Sequence, residues 1–255
     1  MSTIPDDLIY LLKKVKQLVV LTGSGVSAES GIPTSRDALT GLWERFGAEQ
    51  LATWRAFQHD PELVWGWYEW RRAQAMSAEP NAAHLAIAAL GSRLPELTLV
   101  TQNVDDPHER AGSSHVTHLH GSLFAPRCLS CSSPYVLPAG IPCEPEGGRR
   151  IRPPKCDHCG GPVRPGVVWF GEHLPPTAWK RASSAACQCD MFISIGTLSL
   201  VYPVANLPLQ AVEHGATLVQ INPHPTQLDH MASFNLVGNA VEMMKTILER
   251  WETCD

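Results

Sequence analysis

Residues 17–33, QLVVLTGSGVSAESGIP, decide the fold that this sequence predicts. The run starts with a short segment rich in β-branched residues and ends at a glycine, which is typical of a buried parallel strand. Gly23, Gly25 and Ala28 then fit the pattern GxGxxA, in which glycines form a tight turn and let backbone N–H groups approach a pyrophosphate at a helix N-terminus. By itself the pattern also fits a strand-to-helix turn that holds no ligand.

Similar apolar runs recur along the chain, at LTLVTQN (97–103), VVWF (167–170), MFISIGT (191–197) and TLVQIN (217–222). Most of them are separated by helical patterns, such as residues 81–90, 177–186 and 239–250. The alternation predicts an α/β fold, in which an open parallel sheet is covered by helices.

Two stretches break the alternation and predict a second, smaller domain. Residues 34–79 carry only helical patterns, and one of these begins near Asp60 and Pro61. Residues 125–165 are rich in Pro, Gly and Cys and have too few apolar residues for a core of their own. We therefore expect a discontinuous large domain of residues 1–33, 80–124 and 166–255. The small domain would combine a helical module (34–79) with a zinc-binding module (125–165).

Four cysteines carry the strongest motif of the second stretch. Cys128 and Cys131 form CLSC, Cys156 and Cys159 form CDHC, and 24 residues separate the two pairs. This spacing is typical of two knuckles that close on one tetrahedral zinc ion. Four thiolates leave no open position for water, so the pattern indicates a structural rather than a catalytic metal.

Composition argues against nucleic acid and membranes as partners. The 255 residues include 20 Lys and Arg against 25 Asp and Glu, a formal net charge of −5 that does not attract a polyanion. A basic cluster leaves a DNA-reading zinc ribbon as the alternative, although a solvated scaffold face is favoured: Arg149, Arg150, Arg152 and Lys155. No apolar run approaches the roughly 20 residues of a membrane span, and the N-terminus lacks a secretory pattern, so we expect a cytoplasmic protein.

Polar residues follow three further apolar runs, at the point where each predicted strand ends. They are Gln102, Asn103, Asp105 and Asp106; Gly196, Thr197 and Ser199; and Asn222. Because the carboxyl ends of parallel strands line the ligand crevice, we expect these groups and the glycine loop to converge. A histidine could remove a proton there at neutral pH, but position alone does not choose among His108, His115, His118 and His120.

Taken together and in this order, the motifs resemble those of the sirtuins, the NAD-dependent protein deacylases, over residues 18–248. The matching stretches are GSGVSAESGIPTSR, TQNVDD, HLHG, the two CxxC pairs, VVWFGE, GTLSLVYP and IN. The resemblance implies a Rossmann-like NAD-binding domain with a small domain, one structural zinc ion, NAD as a cosubstrate, and acylated-lysine proteins or peptides as substrates. It also implies that the acyl oxygen attacks the ribose carbon bearing nicotinamide, and that nicotinamide, free lysine and O-acyl-ADP-ribose are released.

Carried over by position, the resemblance makes His120 the base, which acts through the ribose hydroxyls. It makes Val168, Trp169, Phe170 and Gly171 the segment that pairs with the substrate backbone by strand addition. Around NAD it places a larger set: Gly23, Ser24, Gly25, Ala28, Arg36, Gln102, Asn103, Asp105, Gly196, Thr197, Ser199, Asn222 and Ala240.

Three residues resemble the branch of sirtuins that removes succinyl and malonyl groups. Ala52 stands where a small residue makes room, and Tyr68 and Arg71 stand where a Tyr/Arg pair receives the acyl carboxylate. Three positions apart on a helix, Tyr68 and Arg71 share a face. Spacing alone favours a surface helix with packing aromatic residues, but Ala52 at the matching place favours a desuccinylase and demalonylase with weaker deacetylase activity.

Four positions depart from the family pattern. Ser35 stands in place of a phenylalanine, Ser24 in place of an alanine, Pro107 in place of leucine or isoleucine, and Leu198 in place of a serine. The departures leave two alternatives open. One is mono-ADP-ribosyl transfer from NAD to protein, and the other is a weakly active or non-catalytic binder of NAD or acyl-lysine.

Overall fold

The computed structural model describes residues 4–34, 47–145 and 148–253, so Ser35 and Arg36 lie outside the described residues. The helices are α1 (Asp6–Lys14), α2 (Ala48–Leu51), α3 (Trp54–His59), α4 (Pro61–Ser77), α5 (Ala82–Gly91), α6 (Pro107–Arg110), α7 (Pro176–Ala186), α8 (Asn206–Glu213) and α9 (Ala240–Thr253). The strands are β1 (Gln17–Thr22), β2 (Glu96–Thr101), β3 (Thr117–His118), β4 (Arg127–Cys128), β5 (Val163–Arg164), β6 (Met191–Ile195), β7 (Thr217–Asn222) and β8 (Phe234–Val237).

Six strands form one parallel sheet in the order β3-β2-β1-β6-β7-β8, which confirms the predicted open α/β fold. The chain builds outward from β1 on one side through β2 and β3, and on the other through β6, β7 and β8. The strand order therefore reverses between β1 and β6. A ligand crevice is expected beyond the carboxyl ends of these two strands.

Helices cover both faces of the sheet, and the alternation along β1 shows how. Leu18 and Val20 belong to a buried cluster that includes residues of α1, α5 and α9. Val19 and Leu21 belong to a second cluster, with residues of α7 and α8. Successive side chains of a strand point to opposite faces, so a strand covered on both faces has a continuous apolar run.

A third buried cluster lies outside the sheet, and it includes a run of residues that the sequence predicted as a strand. It joins residues of α3 and α4, such as Phe57 and Trp67, to Val163, Val167 and Trp169. The VVWF run was predicted as a strand like the others, and this was wrong, because the run forms only isolated bridges to Thr53 and Gly121. Its residues Val167 and Trp169 instead pack in the core of the helical and cysteine-rich regions. The residue boundaries of the two domains stay a prediction.

Helix α4 contacts the cysteine-rich region closely at a glycine. The Ile151 N–H donates to the Glu62 carbonyl at 3.0 Å, and a Cβ added to Gly66 would lie 2.0 Å from the Arg149 carbonyl oxygen. Two arginines of the basic cluster have acidic partners here: Arg149 pairs with Glu144 and Arg150 with Asp60. This pairing favours the scaffold interpretation of the cluster.

Across the described ranges, no helix combines the length and the apolar character needed to cross a membrane.

Candidate active site

The polar residues at the ends of the strands come together, as predicted, around Thr197. The Gln102 side-chain amide donates to Thr197 Oγ1 at 2.8 Å, and the Asn222 amide donates to the Thr197 carbonyl at 2.9 Å. The Ser199 backbone N–H also donates to Thr197 Oγ1, at 3.2 Å. The loops after β2 and β6 and the last residue of β7 therefore meet at one edge of the sheet.

The glycine loop packs against the same edge through its backbone. The N–H groups of Gly23 and Gly25 donate to the carbonyls of Ile195 and Gly196, both at 3.0 Å. A Cβ on Gly25 would lie 2.7 Å from the Gly196 Cα, so only glycine allows this approach. The loop continues as two short 3-10 helices, Ser24–Val26 and Ala28–Ser30, rather than as an α-helix. These two glycine N–H groups are therefore not free for a pyrophosphate.

His120 has the surroundings of a general base. Its Nδ1 lies 3.0 Å from the Gln102 carbonyl, which only accepts hydrogen bonds, so Nδ1 carries the proton of the neutral ring and Nε2 keeps its lone pair. Burial lowers the pKa of His120 below 6.5, and the bond to Gln102 offsets part of this effect. The ring is consequently neutral and able to accept a proton at pH 7.

The other three candidates differ from His120 in hydrogen bonding, in pKa or in burial; His108 is buried and its Nδ1 also has no partner among the described residues, but its pKa is far lower. His118 has both nitrogens beside acceptors, the Asn103 carbonyl at 3.0 Å and Glu109 at 2.6 Å. Burial lowers the pKa of His118, but the bonds to Glu109 and Asn103 outweigh burial and the net pKa is raised. His108 is buried against Thr22 at 3.0 Å, its pKa lowered to about 3 by burial and neighbouring histidines. His115 is exposed.

Two buried residues that sequence reasoning missed, Ser27 and His84, hold the side chains of Asn103 and Asp105 in place. His84 Nδ1 accepts from the Asn81 backbone N–H at 3.2 Å, which leaves Nε2–H to donate to Ser27 Oγ at 3.4 Å. Ser27 also accepts from the Asn103 amide at 3.1 Å and hydrogen-bonds the Asp105 carboxyl. Burial, followed by the Arg110 charge, lowers the pKa of His84 to about 4, so the ring is neutral.

Two buried oxygens in the crevice have no partner among the residues the structure covers, Asp105 Oδ1 and Ser199 Oγ. Burial raises the pKa of Asp105 to about 6, although the bond from Ser27 and the Arg71 charge act in the opposite direction. Buried polar atoms of native proteins are usually hydrogen-bonded. The unpaired oxygens therefore fit a crevice that receives a polar ligand such as the amide and ribose of NAD.

Tyr68 and Arg71 lie on α4 as predicted, and they differ in burial. The Tyr68 side chain is buried and its hydroxyl accepts from the Trp169 indole N–H at 3.2 Å. Burial raises the pKa of Tyr68 to about 12 despite the nearby Arg71 charge. Arg71 is half-buried, with its guanidinium 5.1 Å from the Trp67 ring centre. In the described part of the chain, Arg71 has no carboxylate partner, whereas its neighbour Arg72 pairs with Glu69 at 2.6 Å.

Ala52 lies directly beside the 168–171 segment. Its carbonyl accepts from the Phe170 N–H at 2.9 Å. The N–H groups of Val168 and Trp169 also have partners within the chain, the His120 carbonyl and the Glu172 carboxylate, both at 2.8 Å. A substrate backbone pairing here would have to use the carbonyls of the segment or the Gly171 N–H. Phe170 is exposed, but the Trp169 side chain is buried and supports Tyr68 instead of facing a substrate.

The four predicted metal ligands form one cluster. The Sγ atoms of Cys128 and Cys159 are 3.4 Å apart, those of Cys131 and Cys156 are 3.7 Å apart, and all four lie within 4.8 Å of one another. Tetrahedral zinc with Zn–S bonds of about 2.3 Å places its sulfurs about 3.8 Å apart. The cluster therefore fits one zinc ion with a closed shell of four thiolates.

The remaining predicted residues occupy structural positions near the crevice. Ala28 begins the second 3-10 helix, and Ala240 begins α9 with its side chain in the core. Glu29 accepts from the Val241 N–H at 3.1 Å and so ties the glycine loop to α9. Pro107, one of the departures, is the first residue of α6, where its fixed φ suits the helix start.

Comparison with known proteins decides the family. The Sir2 family model matches residues 23–203, well over half of the chain, and this range contains the glycine loop, Thr197, both CxxC pairs and His120. The chain belongs to the Sir2 family. Its sirtuin motifs are therefore those of a true member, and the predicted class of enzyme, an NAD-dependent protein deacylase, is confirmed.

Relatives of this sirtuin match it from end to end. A protein of Methylococcus capsulatus named NAD-dependent protein deacylase is 58% identical over 244 residues, which cover 96% of each chain. NAD-dependent protein deacylase 1 of Pseudomonas aeruginosa is 56% identical over 244 residues, covering 95% of this chain and 97% of the relative. A crystal structure of a Sir2 homolog–NAD complex has a TM-score of 0.90 at 45% identity and covers 98% of this chain and 95% of that chain. NAD as the cosubstrate is thereby confirmed, while the acyl group and the individual residue roles stay predictions.

Proposed function

We propose that this sirtuin removes acidic acyl groups from lysine, succinyl and malonyl ahead of acetyl, with His120 as the base. One observation carries the acyl preference. Tyr68 and Arg71 share a face of α4, and no acceptor for the Tyr68 hydroxyl hydrogen or for the Arg71 guanidinium exists among the described residues. A hydroxyl donor and a permanent cation without partners fit an incoming carboxylate.

The position of Arg71 supports the same assignment. Its charge acts on both the Tyr68 hydroxyl and the Asp105 carboxyl, so it lies between the helical region and the crevice. Ala52 adjoins Phe170 through the 2.9 Å backbone bond, and its methyl group leaves room where a larger side chain would fill space. A lysine that enters beside Phe170 could therefore extend its acyl chain toward Tyr68 and Arg71.

His120 would supply the proton transfer. NAD, when bound, supplies the ribose carbon that accepts the acyl oxygen and the nicotinamide that leaves. Nε2 of His120 takes the proton of a ribose hydroxyl, and the Gln102 carbonyl holds Nδ1–H so that the ring keeps its tautomer and orientation. The neutral form dominates at pH 7 because burial keeps the pKa of His120 below its ordinary value.

The residues that would hold NAD are those around Thr197 and the glycine loop. Asn103 and Asp105 orient the carboxamide and a water molecule, and their own side chains are fixed through Ser27. Gln102, Thr197 and Ser199 would meet the ribose and phosphates. Asn222 already uses its amide on Thr197 and its oxygen on the His224 N–H at 3.1 Å, so its contact with adenosine ribose would need one of these groups to be shared.

NAD would also contact the remaining residues of the predicted set, among them Gly23, Ser24, Gly25, Ala28, Gly196 and Ala240. The zinc ion bound by the four cysteines would hold the cysteine-rich region together and take no part in the reaction, because four thiolates complete its shell.

One comparison of substrates tests the proposal. Acetyl-, malonyl-, succinyl- and glutaryl-lysine versions of one peptide are incubated with NAD, and kcat/KM and product masses are measured. We expect O-acyl-ADP-ribose, with acidic acyl groups favoured over acetyl. Equal efficiency on acetyl and succinyl peptides contradicts the acyl preference. ADP-ribose attached to a protein acceptor, without free lysine, would favour the transferase alternative.

A further inference from the structure

A cleft of about 540 Å³ lies beside the segment proposed to bind the substrate backbone, and none of the predicted NAD-binding residues lines it. Val168 forms part of its wall, and Gly121, which directly follows His120, forms another part. The rest of the lining consists of Arg127, Gly166, Glu172, His173, Leu174, Pro175 and Pro176. Its size falls within the range of ligand-binding clefts.

The charges in this cleft do not balance. Arg127 in β4 lies directly opposite Arg164 in β5, and like charges directly opposite each other across two strands destabilise the pair. A single carboxylate, Glu172, binds Arg164 with two bonds of 2.5 and 2.9 Å. Within the described ranges, no hydrogen bond or ion pair involves the Arg127 side chain, so Glu172 acts on its charge only at longer range while it binds Arg164 directly. The zinc thiolates do not supply the missing charge, because successive side chains of β4 point to opposite sides and Cys128 is the next residue.

We propose that this cleft binds an acidic side chain of the substrate, Asp or Glu, next to the acyl-lysine, with Arg127 as its partner. The inference rests on the proposed peptide segment at Val168, because Val168 also lines the cleft. Arginine stays charged at every physiological pH and presents a planar fork that matches a carboxylate. Leu174, Pro175 and Pro176 give apolar walls, which strengthen an ion pair formed between them.

The test uses pairs of succinyl-lysine peptides that differ only at one flanking position, Glu against Lys, with that position moved along both sides of the acyl-lysine. At one position we expect Glu to be favoured by about 5-fold in kcat/KM, the upper end of what a partly exposed ion pair supports. Arg127→Gln should bring the ratio close to one, Arg127→Glu should invert it, and Arg127→Lys should retain most of it. Arg152→Gln, which removes an exposed arginine of the same region, is the matched control and should leave the ratio unchanged.

Fluorescence anisotropy without NAD measures the affinity for the Glu and Lys peptides directly. The Glu/Lys preference can therefore be tested even if the proposed acyl preference is wrong. Zinc content and melting temperature of each variant show whether it is folded, and the inversion expected of Arg127→Glu serves as the test if Arg127→Gln is not folded. The inference is overturned if no position favours Glu in the wild type, or if Arg127→Gln keeps the preference. It is also overturned if Arg127→Gln lowers the succinyl/acetyl ratio or NAD affinity instead, because Arg127 would then bind the acyl carboxylate or the cosubstrate.

Discussion

Replacing Arg71 by methionine should remove the preference for acidic acyl groups while leaving deacetylation in place. Methionine keeps an unbranched side chain but has no charge and no donor. A hydrogen bond to a charged group contributes about 1.5 to 3 kcal/mol, and because Arg71 is half-exposed we take the lower end, about 1.5 kcal/mol. At about 1.4 kcal/mol per decade, the succinyl/acetyl ratio of kcat/KM should fall roughly 10-fold.

The assay measures kcat/KM on one peptide carrying either succinyl-lysine or acetyl-lysine at saturating NAD. Arg55→Met is the matched control, because Arg55 is an exposed arginine on α3 of the same region. Tyr68→Phe should lower the ratio less, by about 5-fold, since the hydroxyl is a single uncharged donor, for which we take about 1 kcal/mol. It should also lower the melting temperature, because the Trp169 indole N–H loses its acceptor. An equal loss on both substrates after Arg71→Met would refute the reasoning.

Three further predictions concern stability and can be checked by thermal or denaturant unfolding. Burial raises the pKa of the Asp105 carboxyl from 3.8 to about 6, so the folded protein loses stability as the pH rises from 3.8 to about 6 and this group ionises. Asparagine does not ionise, so Asp105→Asn should stabilise the protein by about 3 kcal/mol at pH 7 and change nothing at pH 3. Cys156→Ala should lose zinc, by elemental analysis, together with stability; full zinc content and an unchanged melting temperature would remove the site. Gly66→Ala should destabilise by about 1 to 3 kcal/mol because its Cβ meets the Arg149 carbonyl, whereas Gly91→Ala, with open space to 3.9 Å, should be neutral or stabilising; equal effects would exclude the close contact.

The sheet was predictable from the sequence where strands are buried on both faces. The runs at β1, β2, β6 and β7 are long and apolar, so their pattern is unambiguous. The edge strands β3 and β8 have two and four residues, too few for a pattern to be recognised. VVWF has the same composition as a sheet strand, and only the tertiary structure shows that Trp169 packs in the core of the helical region instead.

The sequence predicted where the site lies in the fold, but not the hydrogen bonds that hold its side chains. Polar residues after strands had to converge once the sheet was parallel, and the bonds around Thr197 confirm this. Ser27 lies within the glycine loop, but a serine in a loop is usually exposed, so the sequence did not indicate that it is buried. His84 belongs to a helix far away in sequence. Its signal was Asn81 three residues earlier, the spacing of a capping box, which is satisfied here by the histidine ring.

Position in the chain does not choose between His120 and His118; the family resemblance indicated His120, and the coordinates show how the two rings differ. Both residues occur in HLHG and both bond a backbone carbonyl through Nδ1. They differ in what faces Nε2: Glu109 accepts from His118, whereas His120 has no such acceptor among the described residues. That difference helps to raise the pKa of His118, whereas Nε2 of His120 keeps a lone pair that could accept a proton.

The most direct test of this account is the conversion of a succinyl-lysine peptide and NAD by the wild type, His120→Tyr and His118→Tyr, followed by mass spectrometry of the products. The wild type should give free lysine, nicotinamide and O-succinyl-ADP-ribose in equal amounts. His120→Tyr should give none of them while its fold and NAD binding largely persist, because no neighbouring group replaces Nε2, and His118→Tyr should retain turnover. Product formation by the His120 variant together with its loss in the His118 variant would contradict the account.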